Sequence, residues 1–203
     1  MSAVKIQRLA LPKGVNLKCE ICGEPATFRC LECPTFYCTQ EHFETDWYGV
    51  LHRIHRDVTA LREERKTVGT EKDRQQREKD LQAIRRKVLE VSRATAQKCV
   101  VQGKYQYAAA GALYALKMAE VLYGQDAPEV VAAHLLLAEI HLGLQRLQSA
   151  EELLTLVRSR HTHQVLGHAR RGLDAGTVMR GAFALERLKS LSDLSGYVKN
   201  WQE

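Results

Sequence analysis

The sequence lacks the long apolar segments that membrane insertion and secretion require. Its two most apolar stretches, near residues 106–123 and 130–144, are each interrupted by charged or imidazole side chains, so no transmembrane helix is expected. The opening residues contain only a three-residue apolar run before Pro12, far short of the apolar core of a signal peptide. We therefore expect a cytoplasmic protein that does not associate with membranes.

Sequence motifs of common enzymes are also missing. Gly103-Lys104 does not close a phosphate-binding loop, because the earlier glycine of that motif would have to stand where Lys98 is. No Gly-x-Ser-x-Gly motif is present, and no carboxylate pair stands out from the charges expected on helix surfaces. The sequence therefore predicts no catalytic residues and a protein that is not an enzyme.

The net charge of +6 suggests nucleic acid as a partner, but its distribution argues against this. Residues 1–58 hold seven basic and seven acidic side chains, so this part is neutral. The basic excess lies in residues 59–90, with ten against seven, and in residues 158–203, with eight against four. Such charges are more typical of solvated helix faces than of a phosphate-binding patch.

Soft metal ligands, in contrast, are unusually dense near the amino terminus. Five of the six cysteines and three of the eight histidines lie within 37 residues, in the pattern Cys19-x2-Cys22-x7-Cys30-x2-Cys33-x4-Cys38-x3-His42 followed by His52-x2-His55. In a reducing compartment, Cys-x2-Cys pairs favour metal over disulfides, and eight ligands suffice for two tetrahedral zinc sites. Spacing alone does not decide whether the pairs combine sequentially or in an interleaved manner.

The run CEICGEPATFRCLECPTFYCTQEHFETDW resembles the MYND zinc finger. Tyr37-Cys38, His42 and Asp46-Trp47 stand where the pattern of that family requires them. The resemblance implies two cross-braced zinc sites, the first formed by Cys19, Cys22, Cys38 and His42 and the second by Cys30, Cys33, His52 and His55. The family closes with His-x3-Cys, whereas this chain has His52-x2-His55, so the second site departs from the pattern.

This resemblance implies a protein-docking module rather than a reaction centre. With four protein ligands in each site, no coordination position is left for a catalytic water. Phe36, Tyr37 and Trp47 are candidates for a peptide groove, although aromatic residues in so small a fold more often form its core. Methyltransferases that contain this finger also need a SET domain, for which only 18 residues before Cys19 leave no room.

The rest of the sequence predicts helices. Thr70-x-x-Asp73 resembles a capping box that starts a long helix, whose first turns carry mixed charges of the kind found on a solvent-exposed linker. Its apolar positions recur every three or four residues and form one stripe: Leu81, Ile84, Val88, Val91, Thr95 and Cys99. On this stripe, Cys99 is interpreted as a core residue.

The sequence after this helix contains an internal repeat of 42 residues. Ala96, Gly103, Tyr105, Ala108 and Ala115 recur as Ala138, Gln145, Leu147, Ala150 and Val157. The segments QGKYQYAAAGALYAL and LAEIHLGLQRLQSAEELL resemble two tetratricopeptide repeats. Between them, Gly124 is expected to end one helix, and Asp126-x-x-Glu129 with Pro128 to start the next.

These patterns divide the chain into five parts. We predict an amino-terminal segment (1–18), the finger (19–55), a charged helical linker (56–88), two repeats (89–160), and a basic loop with a carboxy-terminal amphipathic helix (161–203). The expected fold class is therefore mainly α, with a small two-zinc finger before a repeat array.

The order of finger, charged helix and repeats along this chain is similar to the order found in MYND proteins of motile cilia and sperm flagella. Such proteins act with another tetratricopeptide-repeat protein in anchoring inner-arm dynein. The resemblance implies a non-catalytic adaptor in the axoneme, with other proteins as its partners. Two alternatives remain open: a nuclear MYND adaptor that binds proline-rich peptides, and a basic zinc protein that binds nucleic acid.

Overall fold

A computed structural model describes residues 2–7, 16–63 and 69–169, with side chains up to residue 159. Within these residues the chain is mainly helical, with a small sheet and a cysteine-histidine cluster near its amino terminus. The strands are β1 (Ala3–Lys5), β2 (Phe28–Cys30) and β3 (Phe36–Tyr37). The helices are α1 (Gln40–Asp46), α2 (His52–Arg62), α3 (Glu71–Val101), α4 (Tyr105–Tyr123), α5 (Pro128–Gly143) and α6 (Leu147–Ala169).

The finger consists of a three-stranded antiparallel sheet and a bent helical segment. The sheet has the order β1-β2-β3, and Val4 pairs with Arg29, which in turn pairs with Phe36. Helices α1 and α2 are joined without a break by a π-helical turn, Trp47–Leu51. This wider turn is of the kind often found at functional sites, and its buried residues face the interior of the protein.

Helices α3 to α6 form a series of hairpins, in which each helix packs against the next one in sequence. Helix α3 begins as predicted, because Thr70 and Asp73 form a complete capping box. Pro128 occupies the first turn of α5, as expected, but the N-cap residue is Ala127 rather than Asp126. The short connections between the helices make neighbouring helices antiparallel.

The 42-residue repeat of the sequence is also present in the structure. Gly103 and Gln145 both have positive φ angles, 71° and 61°, at the ends of α3 and α5. The same hydrogen bonds close both helices: Lys104 N–H donates to the Cys99 carbonyl and Arg146 N–H to the His141 carbonyl, each at 2.9 Å. The equivalent alanines that follow, Ala108 and Ala150, are fully buried. These repeat positions of the sequence therefore occupy equivalent places at the two helix ends.

The finger and the helical hairpins share one hydrophobic core. Val88 of α3 and Tyr114 of α4 belong to the same buried cluster as Tyr37, Trp47 and Leu51 of the finger. Gly49 allows this close contact, because a Cβ atom there would lie 2.7 Å from the Tyr107 carbonyl oxygen. The finger is thus packed directly against α3 and α4.

The segment expected to act as a linker, residues 56–88, has two different environments. Helix α2 continues to Arg62 and belongs to the finger, with Val58 buried in the shared core. The first turns of α3 are solvent-exposed, as predicted, whereas Ile84 and Val88 pack against the finger. Cys99 packs against a buried cluster, in agreement with its interpretation as a core residue.

The basic loop predicted from residue 161 is helical at its start. Helix α6 continues to Ala169, because no proline or turn sequence interrupts it. The predicted amphipathic helix falls on residues 170–203, outside the described residues. Within the residues that the structure describes, no helix is long and apolar enough to cross a membrane.

Candidate metal centre

The first ligand pair is held by a tight turn that reverses the chain. Cys19 N–H donates to the Glu24 carbonyl at 2.8 Å, and Gly23 N–H donates to the Cys19 carbonyl at 3.0 Å. Gly23 has a φ of 76°, in the left-handed region that favours glycine. This turn places Cys19 in the interior and leaves Cys22 exposed.

The second ligand pair lies where the sheet leads into α1. Cys38 directly follows β3, and its carbonyl accepts a hydrogen bond from the Thr27 hydroxyl at 2.6 Å. Thr39 caps α1 by accepting a hydrogen bond from His42 N–H at 3.2 Å, which fixes His42 in the first turn. Cys38 thus lies outside the helix and His42 in its first turn, with their ligand atoms 3.1 Å apart.

These four residues converge on one point. Their ligand atoms, one each from Cys19, Cys22, Cys38 and His42, all lie within 4.8 Å of one another. The Cys22 and Cys38 sulfurs are 3.5 Å apart, and His42 Nδ1 is 3.5 Å from Cys19 Sγ and 3.1 Å from Cys38 Sγ. Tetrahedral zinc places such atoms about 3.6–3.8 Å apart. The cluster thus fits a zinc ion coordinated by three sulfurs and one nitrogen.

The electrostatics of the cluster also suit a cation. Burial alone would raise the pKa of Cys19, but backbone N–H groups and His42 donate to its sulfur and lower the pKa to about 7. Partial burial and the neighbouring Cys22 and Cys19 sulfurs raise the pKa of Cys38 to about 11. A second thiolate so close to the first is unfavourable because the two negative charges repel each other. A divalent cation between the sulfurs would offset this repulsion.

The structure brings the other four predicted ligands only partly together. Cys30 and Cys33 are buried close to each other, and Cys33 Sγ lies 3.3 Å from the Thr35 hydroxyl. Burial raises the pKa of Cys33 to about 12, and Cys30 adds to this effect. Within the described residues, Cys30, Cys33, His52 and His55 do not form a cluster with their ligand atoms inside 4.8 Å.

The two histidines of that set differ in their surroundings. His52 Nδ1 lies 2.9 Å from the Trp47 carbonyl, while its Nε2 accepts from Arg53 at 3.3 Å. His55 Nδ1 lies 3.2 Å from the His52 carbonyl, and its ring packs on Trp47 with centroids 5.8 Å apart. His55 also borders a groove with Glu32, which lies between Cys30 and Cys33 in sequence. His55 therefore lies near the turn that carries the cysteine pair.

A buried polar group lies behind the metal centre. The Tyr37 hydroxyl donates to Asp46 Oδ2 at 2.6 Å, and the Tyr114 hydroxyl donates to the same oxygen at 3.4 Å. Burial raises the pKa of Asp46 to about 7 despite these hydrogen bonds. Asp46 Oδ1 has no hydrogen-bond partner among the residues that the structure describes. This group joins the finger to α4.

An ion-pair network joins the same two parts at the surface. Glu20 accepts from Arg62 at 2.6 Å and from Lys117 at 3.1 Å. Burial would raise the pKa of Glu20, but the hydrogen bond and charge of Arg62, together with Lys117, lower it. Arg62 also donates to the Pro34 carbonyl at 2.5 Å. Glu20 thus connects the first cysteine turn with α2 and α4.

The aromatic residues considered for a peptide groove are mostly interior. Tyr37 and Trp47 are buried in the shared core, whereas Phe36 is half-buried. Their preferred interpretation as core residues is confirmed for Tyr37 and Trp47. Sequence reasoning missed the contacts of Glu20 and Tyr114. The available signal was Asp46, an acidic residue directly before the mostly apolar segment Trp47–Leu51.

No protein-family model matches the chain.

Proposed function

We propose that this protein is a non-catalytic, zinc-binding adaptor that gathers other proteins. The observation that supports this most strongly is the convergence of Cys19, Cys22, Cys38 and His42 on one point. With four protein ligands, the site would be closed to water and substrate, so the metal would act on folding rather than on chemistry. Nothing in the proposal requires a catalytic residue.

A second zinc ion, held by Cys30 and Cys33 with His52 and His55, belongs to the same proposal. The His55 ring is suitably oriented for it, because a metal-bound histidine commonly uses its other ring nitrogen to donate to a backbone carbonyl. In His55, Nδ1 is the nitrogen that lies next to a backbone carbonyl, so Nε2 is available to bind the metal. His52 Nε2 would have to exchange Arg53 for the metal.

The repeated hairpins α3–α4 and α5–α6 support the adaptor role. Their common helix ends and buried alanines are compatible with tetratricopeptide repeats, which bind helices or extended peptides. The rigid attachment of the finger to α3 and α4 would hold both binding modules in one orientation. We propose that the partners are proteins, among them another tetratricopeptide-repeat protein.

We further propose that the protein belongs to the axoneme of cilia or flagella and associates with inner-arm dynein. This proposal rests on the motifs of the sequence and their order along the chain, which resemble those of MYND proteins from motile cilia and sperm flagella. The test is the location of tagged chain in multiciliated cells after detergent extraction. The wild type and a Cys99→Ser control should remain with axonemes, whereas Cys38→Ser, which lacks a zinc ligand, should be lost.

Three outcomes would contradict this proposal. Accumulation in the nucleus, with binding of the purified chain to proline-rich peptides, would favour a nuclear adaptor. Retention of Cys38→Ser on axonemes would mean that the finger is not needed for localisation. Tight, strongly salt-dependent binding to duplex DNA or RNA would favour a nucleic-acid protein.

A further inference from the structure

Four cations lie along the exposed side of α3. Lys72, Lys79, Arg86 and Arg93 are each seven residues apart, and all four are solvent-exposed. Seven residues of α-helix span about 10.5 Å, so the row is about 32 Å long. We refer to these four residues as the basic row.

The surroundings of the basic row contain little negative charge. Residues three or four positions away on a helix are neighbours, and around Lys72 and Lys79 these are mainly glutamines and an alanine: Gln75, Gln76, Gln82 and Ala83. The one acidic neighbour along the row is Glu90, between Arg86 and Arg93. The row is therefore a band of positive charge on a neutral background.

Three other cations of this helix, in contrast, have acidic partners. Arg74 pairs with Glu71 at 3.8 Å, Arg85 with Glu78 at 2.8 Å, and Lys87 with Asp57 of α2 at 2.9 Å. Within the described part of the chain, none of the four residues of the basic row forms an ion pair. The recorded ion pairs thus neutralise these three cations and not the basic row.

We propose that the basic row docks an acidic helix of a partner protein, one that carries aspartate or glutamate at every seventh residue. Such a helix presents carboxylates at the same interval of about 10.5 Å. An interval of seven residues turns by about 20° round a straight helix, so the cations can pair with these carboxylates when the two helices cross at a small angle, as in a coiled coil. Charged positions at this interval also set the choice and register of partners between paired helices.

The spacing favours such a helix over nucleic acid. Duplex DNA carries one charge per about 1.7 Å of its axis, and its binding proteins present cations densely along the curved backbone. The basic row presents one cation per about 10.5 Å along the helix axis. Glu90 lies within it and would repel a continuous chain of phosphates.

The docking surface is distinct from the metal centre. The four residues of the row are exposed, whereas Val88, Ser92 and Ala96, through which α3 packs on its neighbours, are buried. Each exposed ion pair contributes little, so this contact should be weak and salt-dependent and should orient a partner that other surfaces also bind. It extends the proposed adaptor function, but its test does not depend on zinc.

The test uses the full chain with zinc and a fluorescent 28-residue alanine- and glutamine-based peptide that carries glutamate at every seventh position. A second peptide of identical composition has its glutamates at irregular spacing. Binding is measured by fluorescence anisotropy at low and at physiological salt. The variant replaces the row by glutamine (K72Q, K79Q, R86Q and R93Q), and the matched control removes four other exposed cations (K5Q, R56Q, K104Q and R146Q).

We expect the regularly spaced peptide to bind at low salt at least five-fold more tightly than the irregular one. The row variant should lose this preference, whereas the control should retain it within two-fold. Equal binding of both peptides, or equal loss in both variants, would overturn the proposal by showing general charge attraction. Tighter binding of a duplex oligonucleotide that is lost in the row variant would also overturn it. Zinc content measured on the same samples separates a failure here from a failure of the metal centre.

Discussion

Tyr37 donates a 2.6 Å hydrogen bond to Asp46 in an interior where neither side chain is exposed to solvent. Tyr37 directly precedes the predicted ligand Cys38. Asp46 is the last residue of α1, the helix whose first turn contains His42. Tyr114 of α4 reaches the same carboxyl oxygen. One buried carboxyl group therefore connects the metal centre with the helical hairpins.

The Asp46→Asn variant should change how stability depends on pH. The pKa of Asp46 rises from 3.8 to about 7 on folding because of burial, so the folded state binds a proton more tightly than the unfolded state. The free energy of unfolding therefore falls as pH rises between these two values. From pH 8 to pH 6, wild type should gain about 1.4 kcal/mol relative to Asp46→Asn.

Urea unfolding of zinc-saturated protein at both pH values would measure this difference. The exposed Asp80→Asn is the matched control and should follow the wild type. If the free energies of Asp46→Asn and the wild type change in parallel with pH, then Asp46 is not a protonated carboxyl in the folded protein.

Gly49→Ala should weaken the packing of the finger against α4. The added Cβ would lie 2.7 Å from the Tyr107 carbonyl oxygen and 3.1 Å from the Ala110 Cβ, so the backbone must shift. We expect a loss of about 1–3 kcal/mol in the free energy of unfolding. Tyr48→Ala removes a neighbouring ring that is 66% exposed, and this control should change stability by less than about 0.5 kcal/mol. Equal stabilities of the two variants would argue against this close packing.

Exchanges at the two equivalent helix ends should have opposite effects. Gln145 has a φ of 61°, which costs a residue with a side chain about 1 kcal/mol, so Gln145→Gly should stabilise the protein by about 0.5–1 kcal/mol. Gly103 already occupies this conformation, with a φ of 71°, and Gly103→Ala should destabilise by about 1 kcal/mol. Thermal unfolding of both variants tests the pair. A loss of stability in Gln145→Gly would contradict the assignment of equivalent helix ends.

Zinc affinity should increase with pH. The pKa values of about 7 for Cys19 and about 11 for Cys38 mean that, in neutral solution, coordination must displace protons. Between pH 6 and pH 8, we expect the affinity to rise by at least about tenfold in competition with a chelator of known affinity. An affinity that does not change with pH would indicate that thiolates are not the ligands.

Much of the fold could be predicted from local patterns in the sequence. The Thr70 capping box, the 42-residue repeat and the spacing of Cys19, Cys22, Cys38 and His42 involve short-range geometry, and the structure agrees with all three. The prediction of a loop after residue 160 was wrong for its first residues, which belong to α6. Charge and histidine content alone do not end a helix.

Contacts between distant segments could not be predicted in this way. Asp46 and Tyr114 are 68 residues apart, and the packing of the finger on α4 depends on Gly49 meeting Tyr107. The sequence also gave no means of judging how His52 and His55 lie relative to Cys30 and Cys33, because that depends on the π-helical turn between α1 and α2. These features depend on tertiary packing rather than on local propensity.

The most direct test of the account is the number of zinc ions bound per chain, measured by native mass spectrometry of the wild type and Cys38→Ser. The account predicts two ions in the wild type and one in Cys38→Ser, because Cys38 is a ligand of the first site alone. One ion in the wild type and none in the variant would contradict the second site. A wild type without zinc, or equal zinc content in both proteins, would contradict the central claim that Cys19, Cys22, Cys38 and His42 form a metal centre.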